Sequence, residues 1–266
     1  MSTVDSSRTP LVSMRNIDVA FGGVHAVRDV SIDIYAGEVL ALLGHNGAGK
    51  STVVSILSGA TQRDKGTILI DGQEVSIDSP RDARDAGIET IYQTLALADN
   101  LDVPSNVFLG RELRTLGVFR RKKAMMAKAA EVLQRINPRF KNLSDQVRNL
   151  SGGQRQSVAI ARAVYFNART IIFDEPTAAL GPAETALFED LVLRLKEEGV
   201  AILMISHDIH EVFELADKLV VMTDGKVVGR LNTHEATKEQ VLSMIILGGA
   251  DDGDDPAAKS LIDTIL

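Results

Sequence analysis

The chain has 266 residues, 45% of them hydrophobic and 24% charged, a globular composition that excludes wholesale disorder and fibrous repeats. Asp and Glu number 36 against 29 Lys and Arg, and the resulting net charge of −7 argues against general nucleic-acid binding through phosphate neutralisation. Without cysteine there is no disulfide framework, zinc finger or thiol catalysis, which fits a reducing compartment.

Met1 to Val12 is polar and lacks the apolar core of a secretory signal, so the expectation is a protein that stays inside the cell. Val30, Ile32 and Ile34 alternate with Ser31 and Asp33, the period-two pattern of a half-buried strand. Val39 to Leu43 is a continuous apolar run, followed by glycines and then by Val53, Ile56, Leu57 and Ala60 at helical spacing. That order reads as strand, loop, helix. Asp71-Gly72 between Ile68, Ile70 and Val75, Ile77 is a hairpin signal.

From about Leu95 to Phe166 there is no convincing strand, and Ala124 to Ile136 is the clearest of several helical stretches, so a helical subdomain is expected there. Thr170 to Phe173, Val200 to Ile205 and Leu219 to Met222 are apolar runs separated by helical segments, the pattern of a parallel sheet covered on both faces. Pro182 opens a segment with Leu187, Leu191 and Leu195 that ends at Gly199, a proline-first, glycine-last helix. Asp251, Asp252, Asp254 and Asp255 mark residues 249–266 as a solvated, poorly ordered tail. The longest apolar runs fall far short of the roughly 20 residues that span a bilayer, so any membrane role is expected to come through a partner.

Gly44-His45-Asn46-Gly47-Ala48-Gly49-Lys50-Ser51 fits the phosphate-binding pattern of Gly, four residues, Gly-Lys-Ser. Placed between a strand and a helix, it gathers backbone N–H groups and a positive helix end around one point. Lys50 is expected at the β- and γ-phosphates, the Ser51 hydroxyl on Mg²⁺, and the Ser51 and Thr52 amides completing the cradle. Asp174-Glu175 follows the strand at Thr170 to Phe173, where ligands bind in open α/β sheets. Successive side chains diverge there, so Asp174 is assigned to the Mg²⁺ shell and Glu175 to an attacking water as general base.

Leu150-Ser151-Gly152-Gly153-Gln154 has the Ser-x-x-Gln spacing of a capping box before a helical stretch. Capping does not require two glycines, each about 1 kcal/mol worse than alanine in a helix, so their presence points to another molecule approaching the backbone. An anion at that helix N-terminus is the simplest candidate.

These motifs, in this order, resemble the ATP-binding cassette family, whose signature is the stretch Leu150 to Gln154, and the resemblance covers about residues 11–248. It implies an α/β fold: a P-loop NTPase (RecA-like) core with a parallel sheet, an N-terminal antiparallel β subdomain and an inserted α-helical subdomain at about 95–166. It further implies that Ser151, Gly152, Gly153 and Gln154 of one subunit close over the γ-phosphate held by the phosphate loop of another. By the same resemblance Gln93 contacts Mg²⁺ and the water and senses the transmembrane partner, His207 reaches the γ-phosphate, and Phe21 stacks on adenine. One position departs from the family: Ala178-Ala179-Leu180-Gly181 stands where Ser-Ala-Leu-Asp is usual, so Gly181 replaces an aspartate that helps couple the two sites.

Tyr92 to Leu97, Asn106 to Glu112, Pro176 to Leu180 and Ser206 to Asp217 look like the sugar-import ATPases of the ribose, xylose and fructose type. That likeness implies ATP and Mg²⁺ as cofactors and a homodimer with two shared sites. It also implies two transmembrane permease subunits, an extracytoplasmic sugar-binding protein, and a place on the cytoplasmic face of the inner membrane. The alternatives are a cassette serving another importer or an exporter, a soluble cassette ATPase acting on nucleic acid, and a P-loop kinase, which needs neither the signature nor Gln93. His207 and His210, near Glu211 and Glu214, lack a further histidine for a metal site. Arg120 to Lys123 reads as a solvated basic run, and His25, His45 and His234 as surface residues.

Overall fold

The structure, a computed structural model, describes residues 8–248 except 117, 142 and 179; the acidic tail at 249–266 and Ala179 lie outside the described residues. The chain begins with β1 (Val12–Phe21), β2 (Val24–Ile34), β3 (Val39–Leu43) and α1 (Lys50–Leu57), then β4 (Lys65–Ile70), β5 (Gln73–Val75), α2 (Pro80–Asp85) and β6 (Ile88–Ile91). A middle segment holds α3 (Val103–Val107), β7 (Arg114–Thr115), β8 (Phe119–Arg120), α4 (Lys122–Ile136) and α5 (Gly152–Tyr165). It continues through β9 (Thr170–Asp174), α6 (Pro182–Glu197), β10 (Ala201–Ile205), α7 (Ile209–Leu215), β11 (Lys218–Thr223), β12 (Lys226–Asn232) and α8 (Lys238–Leu247).

The central sheet has the order β12-β11-β3-β10-β9-β6. Five of its strands are parallel, and only β12, paired with β11, runs antiparallel at the edge. Its inner strands β3, β9 and β10 read as nearly unbroken apolar runs because both faces are covered. On β3, Val39, Ala41 and Leu43 pack with Phe108, Leu133, Val158, Phe188 and Val192 on the helical side. Leu40 and Leu42, on the other face, pack with Ile17, Val27, Ile32, Val53 and Ile56. Each such side chain contributes about 1.5–3 kcal/mol through burial.

That second face is covered by α1 and by an antiparallel sheet of order β2-β1-β4-β5. Asp71 and Gly72 both have positive φ, as the tight β4–β5 turn requires, although β5 stops at Val75 and Ile77 is buried outside it. Helix α1 likewise ends at Leu57, three residues before Ala60.

Among the described residues the named elements between β6 and β9 are helices apart from β7–β8, a pairing of two residues on each strand that is too short to leave a period-two signature. Helix α6 ends at Glu197, with Gly199 at φ 86. Its buried stripe is Phe188, Leu191, Val192 and Leu195, whereas Leu187 is 46% exposed. A strict four-residue spacing drifts around a helix of 3.6 residues per turn, so Leu187 leaves the face that Leu191 and Leu195 share. Among the described residues no helix is long and apolar enough to cross a membrane.

Candidate functional site

The parallel strands bring their carboxyl ends to one edge of the sheet, where loops can carry polar chemistry without breaking the ladder. In register, Ile205 of β10 lies beside both Asp174 of β9 and Leu42 of β3, and Ile91 of β6 lies beside Phe173. Gly44, Gln93, Asp174-Glu175 and His207 therefore all follow the ends of four adjacent strands.

Gly44 has φ 150, and a Cβ there would lie 2.2 Å from the Met222 carbonyl oxygen. Gly49, at φ 100, precedes α1, and a Cβ on it would lie 2.6 Å from the Ala26 carbonyl oxygen. Both positions demand glycine, and they wedge the loop between β2 and the end of β11. The first N–H groups of α1, including those of Lys50, Ser51 and Thr52, have no acceptor within the helix. His45, Asn46, Gly47 and Ser51 are exposed, while Ala48 is buried beneath them.

Lys50 is only 6% exposed, and its ammonium donates to the Gly44 oxygen at 2.7 Å and the His45 oxygen at 3.0 Å. Burial lowers its pKa, while the charges of Glu175 and Asp174 act the other way. The Asp174 carboxyl is pushed up, first by burial and then by the charge of Glu175, with Lys50 and His207 opposing the rise. Glu175 has φ 51, uncommon for a non-glycine residue, and its N–H donates to Ile205 O at 2.9 Å. Its Oε1 lies 2.6 Å from His207 Nε2. Lys50, Asp174, Glu175 and His207 thus form one cluster of titratable side chains at the strand ends.

Ser51, Gln93 and Asp174 offer oxygen donors of the kind a hard divalent cation takes, and two adjacent carboxyls favour a cation beside them. Among the described residues no three His, Asp or Glu side chains form a metal cage of their own. That donor set fits Mg²⁺ arriving with phosphate oxygens, since this ion usually keeps waters and substrate phosphates in its shell. His210 Nδ1 pairs with Lys238 Nζ at 2.6 Å while His207 turns to Glu175, so the two histidines serve different partners. Gln93 is exposed just past β6. Phe21, 54% exposed, sits at the tip of the hairpin whose Ala26 packs on Gly49.

The signature stretch stands apart from this cluster. Ser151 caps α5 in a reciprocal box, its Oγ accepting from Gln154 N at 3.3 Å and its N–H donating to Gln154 Oε1 at 3.0 Å. What approaches the Gly153 backbone within this chain is a carboxylate of α6: Glu184 Oε1 accepts from Gly153 N at 3.3 Å and Ser151 Oγ at 3.1 Å. A Cβ on Gly153 would lie 2.8 Å from that oxygen, a contact that the flexible Glu184 side chain could relieve by shifting.

Three residues near the site carry no motif. Gln156, 3% exposed, donates from Nε2 to Pro176 O at 3.1 Å, joining the signature helix to the turn after Glu175. Glu211 Oε2 accepts from Ser206 Oγ and Thr177 Oγ1, joining the turn before His207 to the turn after Glu175. Glu184 is the third; the only local signal for it is its N3 position after Gly181.

A family model described as ABC transporter matches residues 27–178. The chain is 44% identical to the ribose import ATP-binding protein RbsA 2 of Escherichia coli O157:H7 over 238 residues, 90% of this chain and 47% of that protein. It therefore spans about half the length of that relative. It is 43% identical to the xylose/arabinose import ATP-binding protein XylG of Sulfolobus acidocaldarius over 235 residues, 88% of this chain and 93% of that one. An ATP-binding cassette solved as a dimer in a post-hydrolysis state with ADP and Pi superposes with a TM-score of 0.71 at 25% identity, covering 84% of this chain and 98% of that one.

Proposed function

The chain belongs to the ABC transporter family, and we propose that it is the ATP-hydrolysing subunit that drives import of a monosaccharide, a pentose or hexose, through a membrane transporter. The observation that carries this reading is the cluster of Lys50, Asp174, Glu175 and His207 over the phosphate loop, in a chain so similar to sugar-import ATP-binding proteins.

The triphosphate lies on the N–H groups of residues 44–52, with Phe21 against adenine. Lys50 exchanges its bonds to the Gly44 and His45 carbonyls for the β- and γ-phosphate oxygens. Glu175 takes a proton from water as that oxygen bonds to the γ-phosphorus and the bond to ADP breaks, and His207 donates to the γ-phosphate oxygens. Ser51, Asp174 and Gln93 would hold Mg²⁺, which would supply neutralising charge beside the phosphates.

Ser151, Gly152, Gly153 and Gln154 complete the site of a second copy. A homodimer is the reading that uses both halves, because Ser151 is bonded to Gln154 and Glu184 and to nothing in its own phosphate loop. A groove of about 320 Å³ beside Gln93, lined by Tyr92, Arg84, Arg111 and Arg162, offers the permease subunits a docking place next to the catalytic edge. An extracytoplasmic binding protein delivers the sugar, and the ATPase works at the cytoplasmic face of the inner membrane, without nucleic acid. Two domains follow: the ATPase unit at 11–248, with its helical insert at about 95–166, and the tail at 249–266.

The test is affinity purification of tagged Glu175→Gln protein from detergent-solubilised membranes, with mass spectrometry of what copurifies. Recovery of a polytopic permease with a sugar-binding protein is expected. Recovery of a permease for another cargo would move the reading to a different transporter, and ribosomes or nucleic acid without permease would overturn it.

A further inference from the structure

The donors assigned to the partner's γ-phosphate are already occupied by an anionic side chain of this chain. Glu184 Oε1 accepts from Ser151 Oγ at 3.1 Å and from Gly153 N at 3.3 Å, while Oε2 accepts from Gly181 N at 3.3 Å. We propose that Glu184 is a positioning residue for ATP hydrolysis, a displaceable carboxylate that holds the signature donors in their anion-binding arrangement and must yield them to the γ-phosphate when the dimer closes. The proposal rests on the shared-site reading above.

Three features carry it. The contact engages a backbone N–H and a side-chain hydroxyl at the N-terminus of α5, where a helix favours negative charge and where a phosphate oxygen would accept the same two hydrogen bonds. The carboxylate lies close over Gly153, 2.8 Å from where a Cβ would stand, and as the end of a flexible side chain it can shift away without moving the backbone. Glu184 also has somewhere to go: its Oε2 keeps the Gly181 N–H at the start of α6, so withdrawal from Ser151 does not strand the charge. A carboxylate and a γ-phosphate cannot share these donors, because both are anionic and each donor has one proton to give.

Glu184→Gln removes the charge at nearly constant shape; with its amide oxygen on Ser151 and Gly153 it gives up only the Gly181 N–H bond, which water can replace at this exposed helix start. The variant is introduced into Glu175→Gln protein, which keeps bound ATP, and dimerisation is followed by sedimentation against ATP concentration with Mg²⁺ present. The ATP concentration at half-dimerisation is expected to fall about three- to tenfold, the scale of one partly exposed charge at a helix N-terminus. The difference should shrink at about 0.5 M salt, where exposed charges are screened within a few ångströms. ADP, which lacks the γ-phosphate, should bind both proteins equally, which also reports intact folding. An unchanged or raised half-dimerisation concentration would overturn the proposal and leave Glu184 as a structural cap. Absence of any ATP-dependent dimer in either protein would remove the shared site itself, and this proposal with it, a result distinct from an unchanged midpoint.

Discussion

His207 Nε2 lies 2.6 Å from Glu175 Oε1, so the histidine after β10 and the carboxylate after β9 are joined directly. Adjacent parallel strands place them there, and the Glu175 N–H bond to Ile205 O at 2.9 Å holds the two strand ends together. Replacing Glu175 by Gln preserves shape and hydrogen bonding but removes the base. Phosphate release is expected to fall about 10²- to 10⁴-fold while ATP binding persists, as read by steady-state kinetics and nucleotide titration. Hydrolysis at the wild-type rate would contradict the assignment.

Glu211 ties together the two turns that carry that pair, through Ser206 and Thr177. Its carboxyl is pushed above the ordinary glutamate range, chiefly by burial and further by Asp208 and Glu189, with the Ser206 and Thr177 hydroxyls opposing the rise. The folded protein therefore keeps this proton to higher pH than the unfolded chain does. Its contribution to stability is fully present below the unfolded value of 4.5 and is lost as pH rises through the folded value. Glu211→Gln should remove that pH-dependent loss, flattening the fall in Tm between acid and neutral pH relative to wild type. Glu211→Ala should instead cost about 1–3 kcal/mol, because two hydroxyls lose their acceptor. Superimposable Tm profiles of wild type and Glu211→Gln from acid to neutral pH would refute the role given to burial.

Gly181 occupies the N-cap of α6 with φ −82 and ψ 165, extended backbone that any residue adopts, and nothing lies within 4 Å of a Cβ built there. Aspartate caps helices better than glycine by a few tenths of a kcal/mol. Gly181→Asp should therefore fold normally, gain roughly 1 °C in Tm and bind ADP unchanged, as read by calorimetry and titration. A drop of several degrees would mean that glycine is required at this position.

The phosphate loop, the acidic strand end and the capping box are legible because each is local: neighbouring residues define the glycine pattern, the strand-to-turn switch and the Ser-x-x-Gln spacing. Strand β1 escapes notice because its pairing with β2 shifts register between Met14 and Ile17, around Asn16 at φ 48, which breaks the alternation that marked Val30 to Ile34. Glu184, Gln156 and Glu211 escape for a different reason. Their partners Gly153, Pro176 and Thr177 lie 31, 20 and 34 residues away in sequence, and only the folded chain brings them together. The signature shows the difference: its glycines suggest the approach of another molecule, whereas the Glu184 carboxylate that bonds Gly153 N within the chain is not legible from them.

In the proposed dimer each ATP site combines the phosphate loop of one subunit with the signature of another, and mixing Lys50→Ala with Ser151→Ala protein tests this through ATP hydrolysis. Either variant alone has no complete site, whereas the mixed dimer rebuilds one, so equal mixing should recover about one quarter of wild-type activity if the sites act independently. Activity no greater than the sum of the two inactive parents, in a mixture shown to exchange subunits, would contradict the shared site.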